Sequence, residues 1–290
     1  VQNGIVRVGS FNQELSGWTT SAATDISAMF SNLFSFNKNL PFSLRSIFFP
    51  VLGRKIFGWR GDIIDIIAVV ATLFGLATSL GFGARQIASG GNFLFGTDPG
   101  MSSQITIIIV ITLIATISVV TGLKKGVKLL SRLNLIVAVI FLVFVFLLTD
   151  PVGILNIFVE STGMYFQRFI ELGSWSSSFT DNTWQGDWTI FYWAWWIAWS
   201  PFVGMFIARV SRGRTVREFV LGVLFVPTLI TFIWMSTFGG AALLLEIEQP
   251  GLLSGPIMAD SSTSLFVFLK QFPLTAVTSF IGIFMVSVFF

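Results

Sequence analysis

The chain has 290 residues, of which 54% are hydrophobic and only 11% charged, with 17 Lys and Arg against 14 Asp and Glu and a net charge of +3. A soluble domain carries about 25% charge, so a mean hydropathy of +0.84 excludes both an ordinary water-facing surface and a disordered chain. The absence of Cys and His excludes disulfides, thiolate nucleophiles, Ser-His-Asp catalysis, HExxH zinc sites and histidine proton relays. What remains is a polytopic membrane protein and not an enzyme, with no cofactor or metal centre.

Residues 1–38 are polar, rich in Ser, Thr and Asn, and hold no span, so they carry no assignment. The first residue is not Met and four of the last five are still apolar, so a fragment is expected. A helix needs about 20 mostly apolar residues to cross a bilayer. Five stretches qualify: Ile63–Ala84, Ile105–Leu123, Leu135–Leu155, Thr189–Ala208 and Phe219–Leu245. A sixth, Thr275–Phe290, runs to the last residue.

The first span carries Thr72, Gly75, Thr78, Ser79, Gly81 and Gly83. Small residues let another helix approach closely, which suits Gly75 and Gly81. Thr72 and Ser79 are also candidate oxygen ligands for a small hard cation such as Na⁺. Asp62 and Asp65 stand at the start of the span, and the first suits a helix cap. The spans contain no mid-membrane carboxylate to form a proton relay. Segment Ile154–Leu172 mixes Asn156, Glu160, Gln167, Arg168 and Glu171 with Phe158, Met164, Tyr165, Phe166, Phe169 and Ile170. That pattern reads as an amphipathic helix, either lying along the outer surface against a neighbouring subunit or packed as a surface loop helix.

Lys and Arg between the spans alternate 5, 1, 4, 1, 4, 1 along the chain. The dense groups are Lys38 to Arg60, Lys124 to Arg132 and Arg209 to Arg217; the single residues are Arg85, Arg168 and Lys270. Short cytoplasmic loops collect positive charge, so loops 38–61, 124–133 and 209–218 are expected to be cytoplasmic in a multi-pass protein of the cell membrane. The basic groups read as topology anchors in the lipid bilayer rather than as nucleic-acid patches. Arg212 and Arg214 could also sense the membrane surface or gate.

The most informative stretch runs from Phe191 to Phe202: FYWAWWIAWSPF. Trp195 and Trp199 are four residues apart and share a helix face. They fall near mid-membrane if the helix starts near Asp187, at 1.5 Å per residue. Interfacial Trp belts sit at span ends, which fits Trp184 and Trp188 but not Trp195, Trp196 or Trp199. The cluster is either a binding site or a packed core. As a site, its indole faces would hold a cation by their quadrupoles and a methyl group by their hydrocarbon. No Asp or Glu lies between Asp187 and Glu218, which favours a methylated onium ion over a simple amine. Pro201 lacks an N–H and clashes with the carbonyl of Ile197, so a break in the helix is expected beside the cluster. The freed carbonyl would face protein, water or ligand.

Phe191 to Gly222, FYWAWWIAWSPFVGMFIARVSRGRTVREFVLG, closely resembles the betaine/choline/carnitine transporter family. LPFSLRS at Leu40–Ser46, DIIAVVATLFGLATSLGFG at Asp65–Gly83 and ISVVTGLKKGVKLLSRLN at Ile117–Asn134 carry the same resemblance, which covers about residues 38–290. It implies a LeuT-like inverted-repeat transporter fold in which residues 39–290 supply about six of twelve transmembrane helices, the fifth to the tenth. It implies that 154–172 is a connecting helix that helps form a homotrimer. It places a substrate cage for a quaternary ammonium compound on Phe191, Trp195, Trp196 and Trp199, with Trp193 further along the pathway. Thr72 and Phe202 then match a coupling-sodium site. The implied activity is osmoregulatory uptake of glycine betaine, choline or carnitine by Na⁺ or H⁺ symport, or their exchange. Leu76 stands where sodium-coupled members carry a second Thr, which weakens the case for Na⁺ at that site. Arg85 replaces an apolar residue and is expected to snorkel outward. The third and fourth family spans find no counterpart in residues 1–38, and this chain alone is not expected to transport.

Overall fold

The computed structural model describes residues 40–120, 126–176, 178, 183–211 and 215–289. The unassigned segment before residue 39, the end of the second predicted span, Lys38, Lys124, Lys125, Arg212 and Arg214 lie outside the described residues. Among the described residues every regular element is helical, and five helices are long and apolar enough to cross a membrane. They are α1 (Trp59–Phe95), α2 (Met101–Val120), α3 (Gly126–Leu148), α5 (Phe191–Val210) and α6 (Val226–Glu248). Between α3 and α5 lies α4 (Pro151–Ser174), and α7 (Thr275–Phe289) is a shorter apolar helix. This is an all-α polytopic membrane protein, with helices where the apolar stretches lie.

The helix ends differ from the apolar boundaries because caps set them. α1 has 37 residues against the 22 of its apolar stretch. It ends at Gly96, whose φ of +68° suits glycine and whose N–H donates to the carbonyl of Asn92 at 2.8 Å. The predicted span Leu135–Leu155 is cut at Thr149. There the Asp150 carboxylate accepts the N–H of Val152 at 3.1 Å, and Pro151 occupies the first helical position, where no N–H is needed. α3 therefore reaches back to Gly126, and α4 begins three residues before the predicted Ile154.

α5 is preceded by a π-helical turn, Gln185–Ile190. Before α6 run a short helix, Val216–Val220, and a second π-helical turn, Leu221–Phe225. Thr215 starts that region with a capping box: its hydroxyl accepts from the Glu218 N–H at 3.2 Å, and the Glu218 carboxylate accepts from the Thr215 N–H at 2.9 Å.

Packing divides the chain into two units. One holds the described residues up to Thr78 together with Met164–Thr231; the other holds Ser79–Gly163 and Phe232–Phe290. The second unit has a core of Phe141 and Val145 from α3, Ala241 from α6, and Leu253, Phe268, Leu269 and Phe272 from the segment before α7. In it the Glu246 carboxylate gathers the next turn, accepting from the N–H groups of Gly251, Leu253 and Ser254 and from the Ser254 hydroxyl at 2.5–3.2 Å. In the first unit Arg45 fastens the segment before α1. Its guanidinium reaches Asp65 at 2.5 Å and Asp62 at 2.9 Å, and its own N–H donates to Asp65 at 3.0 Å. The hydrogen bond to Asp65 raises the Arg45 pKa above its ordinary value. Asp62 thus holds Arg45 and is not the backbone cap expected of it.

Candidate functional site

The tryptophan cluster lies wholly within the first unit, where α5 meets the first part of α1. The apolar span around it runs from Gln185 to Arg209, so its midpoint is residue 197, between Trp195 and Trp199. α1 meets α5 at Gly75, sixteen residues after Trp59 and twenty before Phe95, or about 24 and 30 Å along the axis. Both measures put the contact near the middle of the spans.

Gly75 is the point of closest approach. A Cβ there would stand 3.1 Å from the Trp199 backbone nitrogen and 3.2 Å from its Cα and Cβ. Its carbonyl accepts the Trp195 indole N–H at 3.2 Å. Gly81, the other glycine expected to permit close helix approach, has nothing within 4 Å of such a Cβ and plays no such part.

The rings fall into two groups. Trp196 and Trp199 form an edge-to-face pair with centroids 5.6 Å apart at 78°. Their planes make a corner of two apolar, electron-rich surfaces. Phe191 and Trp195 are 6.0 Å apart at 48°, and Tyr192 joins them, 5.7 Å from each. Phe191, Trp195, Trp196 and Trp199 are all half-buried. The structure therefore brings four of the predicted residues together as two neighbouring pairs one turn apart. Trp193 is 38% exposed and Phe202 45% exposed. The Trp199 indole nitrogen is buried and meets no acceptor among the described residues.

Pro201 does not break the helix: α5 runs unbroken through it. The reason is local. The Ser200 hydroxyl donates to the Ile197 carbonyl at 2.9 Å, replacing the N–H that proline lacks. That carbonyl therefore already has a donor within its own helix. Thr72 is half-buried, and its hydroxyl donates to the Ala68 carbonyl at 2.7 Å. Its oxygen lone pairs remain for a cation. Leu76 is 40% exposed and offers no oxygen there.

Arg85 does not snorkel into solvent alone. Its guanidinium pairs with Asp260 at 3.0 Å, and below it Ser89 and Ser262 share a buried hydroxyl contact of 2.6 Å. Burial raises the Asp260 carboxyl, but hydrogen bonds from Ser262 and the Arg85 charge outweigh it and hold the group below its usual range. No periodicity marks this pair, since its members lie 175 residues apart. Close approach at Gly75 agrees with the small-residue reading, whereas nothing in the sequence marks its carbonyl as the acceptor of the Trp195 indole N–H.

Comparison with known proteins gives the chain its family. A family model described as betaine/carnitine/choline family transporter matches residues 6–290. The chain belongs to the betaine/carnitine/choline transporter family. Members are transporters, not enzymes. A glycine betaine/proline/choline/ectoine transporter from Vibrio parahaemolyticus is 46% identical over 280 residues, covering 97% of this chain and 49% of that protein. Glycine betaine transporter 1 of the same organism is 47% identical over 283 residues, covering 97% and 53%. A glycine betaine transporter from Acinetobacter baylyi is 44% identical over 286 residues, covering 98% and 43%. The chain thus spans about half the length of the curated relatives it matches. The family match also reaches back to residue 6, into the segment that motif reading left outside the resemblance.

Proposed function

We propose that this chain supplies the central part of a secondary active transporter for quaternary ammonium compatible solutes, working by alternating access around the α5 indoles. The observation that carries the reading is the Trp196–Trp199 corner at the middle of a membrane span, at a level that holds no carboxylate among the described residues. An onium ion has a fixed charge and no N–H to donate, so ring faces serve it better than a carboxylate acceptor would. The buried, unpartnered Trp199 N–H adds a donor, which suits a ligand bearing its own carboxylate, as glycine betaine does.

Spans that follow one another cross in opposite directions, so α1 and α5, the first and fourth, run antiparallel. Thr72 lies one turn before Gly75, and Phe202 three residues after Trp199. Both then fall on the same side of the α1–α5 contact, which supports a coupling-cation site there, with Na⁺ or H⁺ as the ion. The basic tally puts the α1 start, the α2–α3 connection and the α5 end on the cytoplasmic side. On α4, Val152, Leu155 and Val159 are 54–68% exposed at helical spacing, a stripe suited to a subunit contact in a homotrimer.

The test is binding of glycine betaine to the full-length protein in nanodiscs. Trp199→Leu should weaken it by about 1–3 kcal/mol, by loss of a desolvated ring face. Unchanged affinity, with proline or ectoine bound equally well, would refute the cage.

A further inference from the structure

The segment before α1 is a folded elbow. Leu44–Phe48 and Gly53–Phe57 are 3₁₀ turns, and Phe49–Leu52 is a single α-helical turn between them. The inside of the elbow is closed. Ser46 and Ile56 have no exposed surface, and the Ser46 hydroxyl donates to the Pro41 carbonyl at 2.5 Å. The Arg45 guanidinium donates to the Ile56 carbonyl at 3.4 Å as well as holding Asp62 and Asp65. A Cβ on Gly61 would collide with that same carbonyl, so glycine is what lets the first turn of α1 lie against the elbow.

The outside mixes large apolar side chains with cations. Val51 is 82% exposed, Trp59 67% and Phe57 57%. Among them stand Arg54, Lys55 and Arg60, all exposed. The nearest carboxylates along the chain, Asp62 and Asp65, are both engaged by Arg45, and none of the three cations has an ion-pair partner among the described residues. Arg60 rests over the Trp59 ring, 5.5 Å from its centroid. The level of this surface follows from α1. Its apolar run begins at Ile63, so Trp59 and Arg60 lie about 6 and 5 Å before the hydrocarbon along the axis. The headgroup layer is about 5–8 Å deep on each side of a bilayer. Water would leave the rings uncovered and hydrocarbon would strand the charges, whereas that layer accommodates both. An interfacial belt accounts for Trp59 alone. It does not account for three unpaired cations carried on an elbow whose neighbouring acids are held elsewhere.

We propose that this elbow binds an anionic phospholipid, with Arg54, Lys55 and Arg60 on the headgroup phosphate and Val51, Phe57 and Trp59 along the acyl chains. The two guanidinium groups suit phosphate oxygens as forked donors, and Lys55 adds a point charge. Trp59 orients Arg60 by lying beneath it. Arg45 contributes indirectly: by holding Asp62 and Asp65 it keeps both carboxylates from neutralising the cations beside them. The site does not depend on the onium reading of the α5 indoles.

The test titrates delipidated full-length protein in neutral detergent with phosphatidylglycerol and, separately, with phosphatidylcholine. Native mass spectrometry counts the lipids bound. A saturable phosphatidylglycerol site is expected, at least about tenfold tighter than for phosphatidylcholine. Arg54→Gln, Lys55→Gln and Arg60→Gln should each weaken it about fivefold, with Arg60→Lys recovering most of the loss. Trp59→Leu should weaken it about 2- to 5-fold. Inorganic phosphate should not displace the lipid, since it offers the elbow no acyl chain. Arg217→Gln, which removes an exposed cation outside the elbow, should leave the affinity unchanged. Equal affinity for the two lipids overturns the proposal. So does an equal loss in Arg217→Gln, which would mark attraction to a diffuse positive face, and so does displacement by phosphate, which would mark a site for free anions. If a Gln variant does not fold, the two-lipid comparison and the phosphate competition in the parent protein still decide. Glycine betaine affinity should be the same in all these variants, so the lipid site and the indole cage fail separately.

Discussion

The α1–α5 contact makes a sharp prediction, because two glycines on one helix should respond oppositely to the same change. In Gly75→Ala the new methyl would stand 3.1–3.2 Å from main-chain and Cβ atoms of Trp199. Carbon contacts settle at about 3.5–4.0 Å, so the helices must part by roughly 0.4 Å. The obstructing backbone cannot swing away as a side-chain tip could. The same movement stretches the Trp195–Gly75 bond from 3.2 Å to about 3.6 Å, beyond hydrogen-bond range. Overpacking costs about 1–3 kcal/mol. The lost bond in a membrane adds about 0.6–1.7 kcal/mol, and alanine returns about 1 kcal/mol of helix propensity. The balance is a loss of about 1–3 kcal/mol at the place where Trp195 and Trp199 are held. Glycine betaine affinity should fall roughly 5- to 150-fold if that loss is expressed in binding. Gly81→Ala meets nothing within 4 Å, so it should bind normally and melt at the same or a higher temperature. The assay is indole fluorescence titration and thermal unfolding of both full-length variants in nanodiscs. Equal affinity in the two variants would show that the Gly75 contact does not position the cage.

Three further changes test the local chemistry. Ser200→Ala should lower the melting temperature by leaving the Ile197 carbonyl unpaired next to Pro201, while Pro201→Ala in that background restores it by resupplying an N–H; an additive double-mutant cycle would reject the compensation. Asp65→Asn should loosen the segment before α1 more than Asp62→Asn, because Asp65 takes two bonds from Arg45 and its side chain is 25% exposed against 59%; limited proteolysis between residues 40 and 58 ranks the two. The Asp260 group has its folded pKa below its unfolded one, so its contribution is complete above about pH 4 and disappears as pH falls through the lower folded value. Hydrogen exchange at the Ser262 N–H, which donates to Asp260 at 3.0 Å, should lose its excess protection over that acid range and not on the alkaline side.

Much of the fold was legible because a membrane span declares itself by uninterrupted apolar length, and the basic tally supported the same count. The boundaries were less legible because composition does not encode caps. Asp150 and Pro151 end a continuous apolar run by supplying an acceptor and dispensing with a donor, which a hydropathy window averages away. Pro201 misled for the converse reason: the rule for proline considers the missing N–H, and here the preceding hydroxyl makes the bond instead. At the site, ring spacing put Trp195 and Trp199 on one face, whereas the structure pairs Trp199 with Trp196 and packs Trp195 against Phe191 and Tyr192. It gave no warning that Trp195 spends its N–H on Gly75 while Trp199 keeps its own unpaired, since the α1–α5 contact brings together residues 120 positions apart.

The distribution of charge explains why the centre is built from rings. Every carboxylate with a described ion pair stands at an end or outside a span: Asp62 and Asp65 with Arg45, Asp260 with Arg85, and Glu171 with Arg168. Glu246 is held near the end of α6 by the turn that follows it. A carboxylate beside Trp199 would sit unpaired in hydrocarbon whenever the site was empty, at a cost of several kcal/mol. Indoles incur no such cost, because their quadrupole needs no counter-ion, yet they still attract a cation that has left water. On the proposed reading, a site emptied on every cycle would gain from rings where a permanent binding site could use an acid. On the proposed reading the same reasoning would set selectivity: a primary ammonium would leave N–H donors without acceptors between these faces, whereas a methylated onium ion has none to leave.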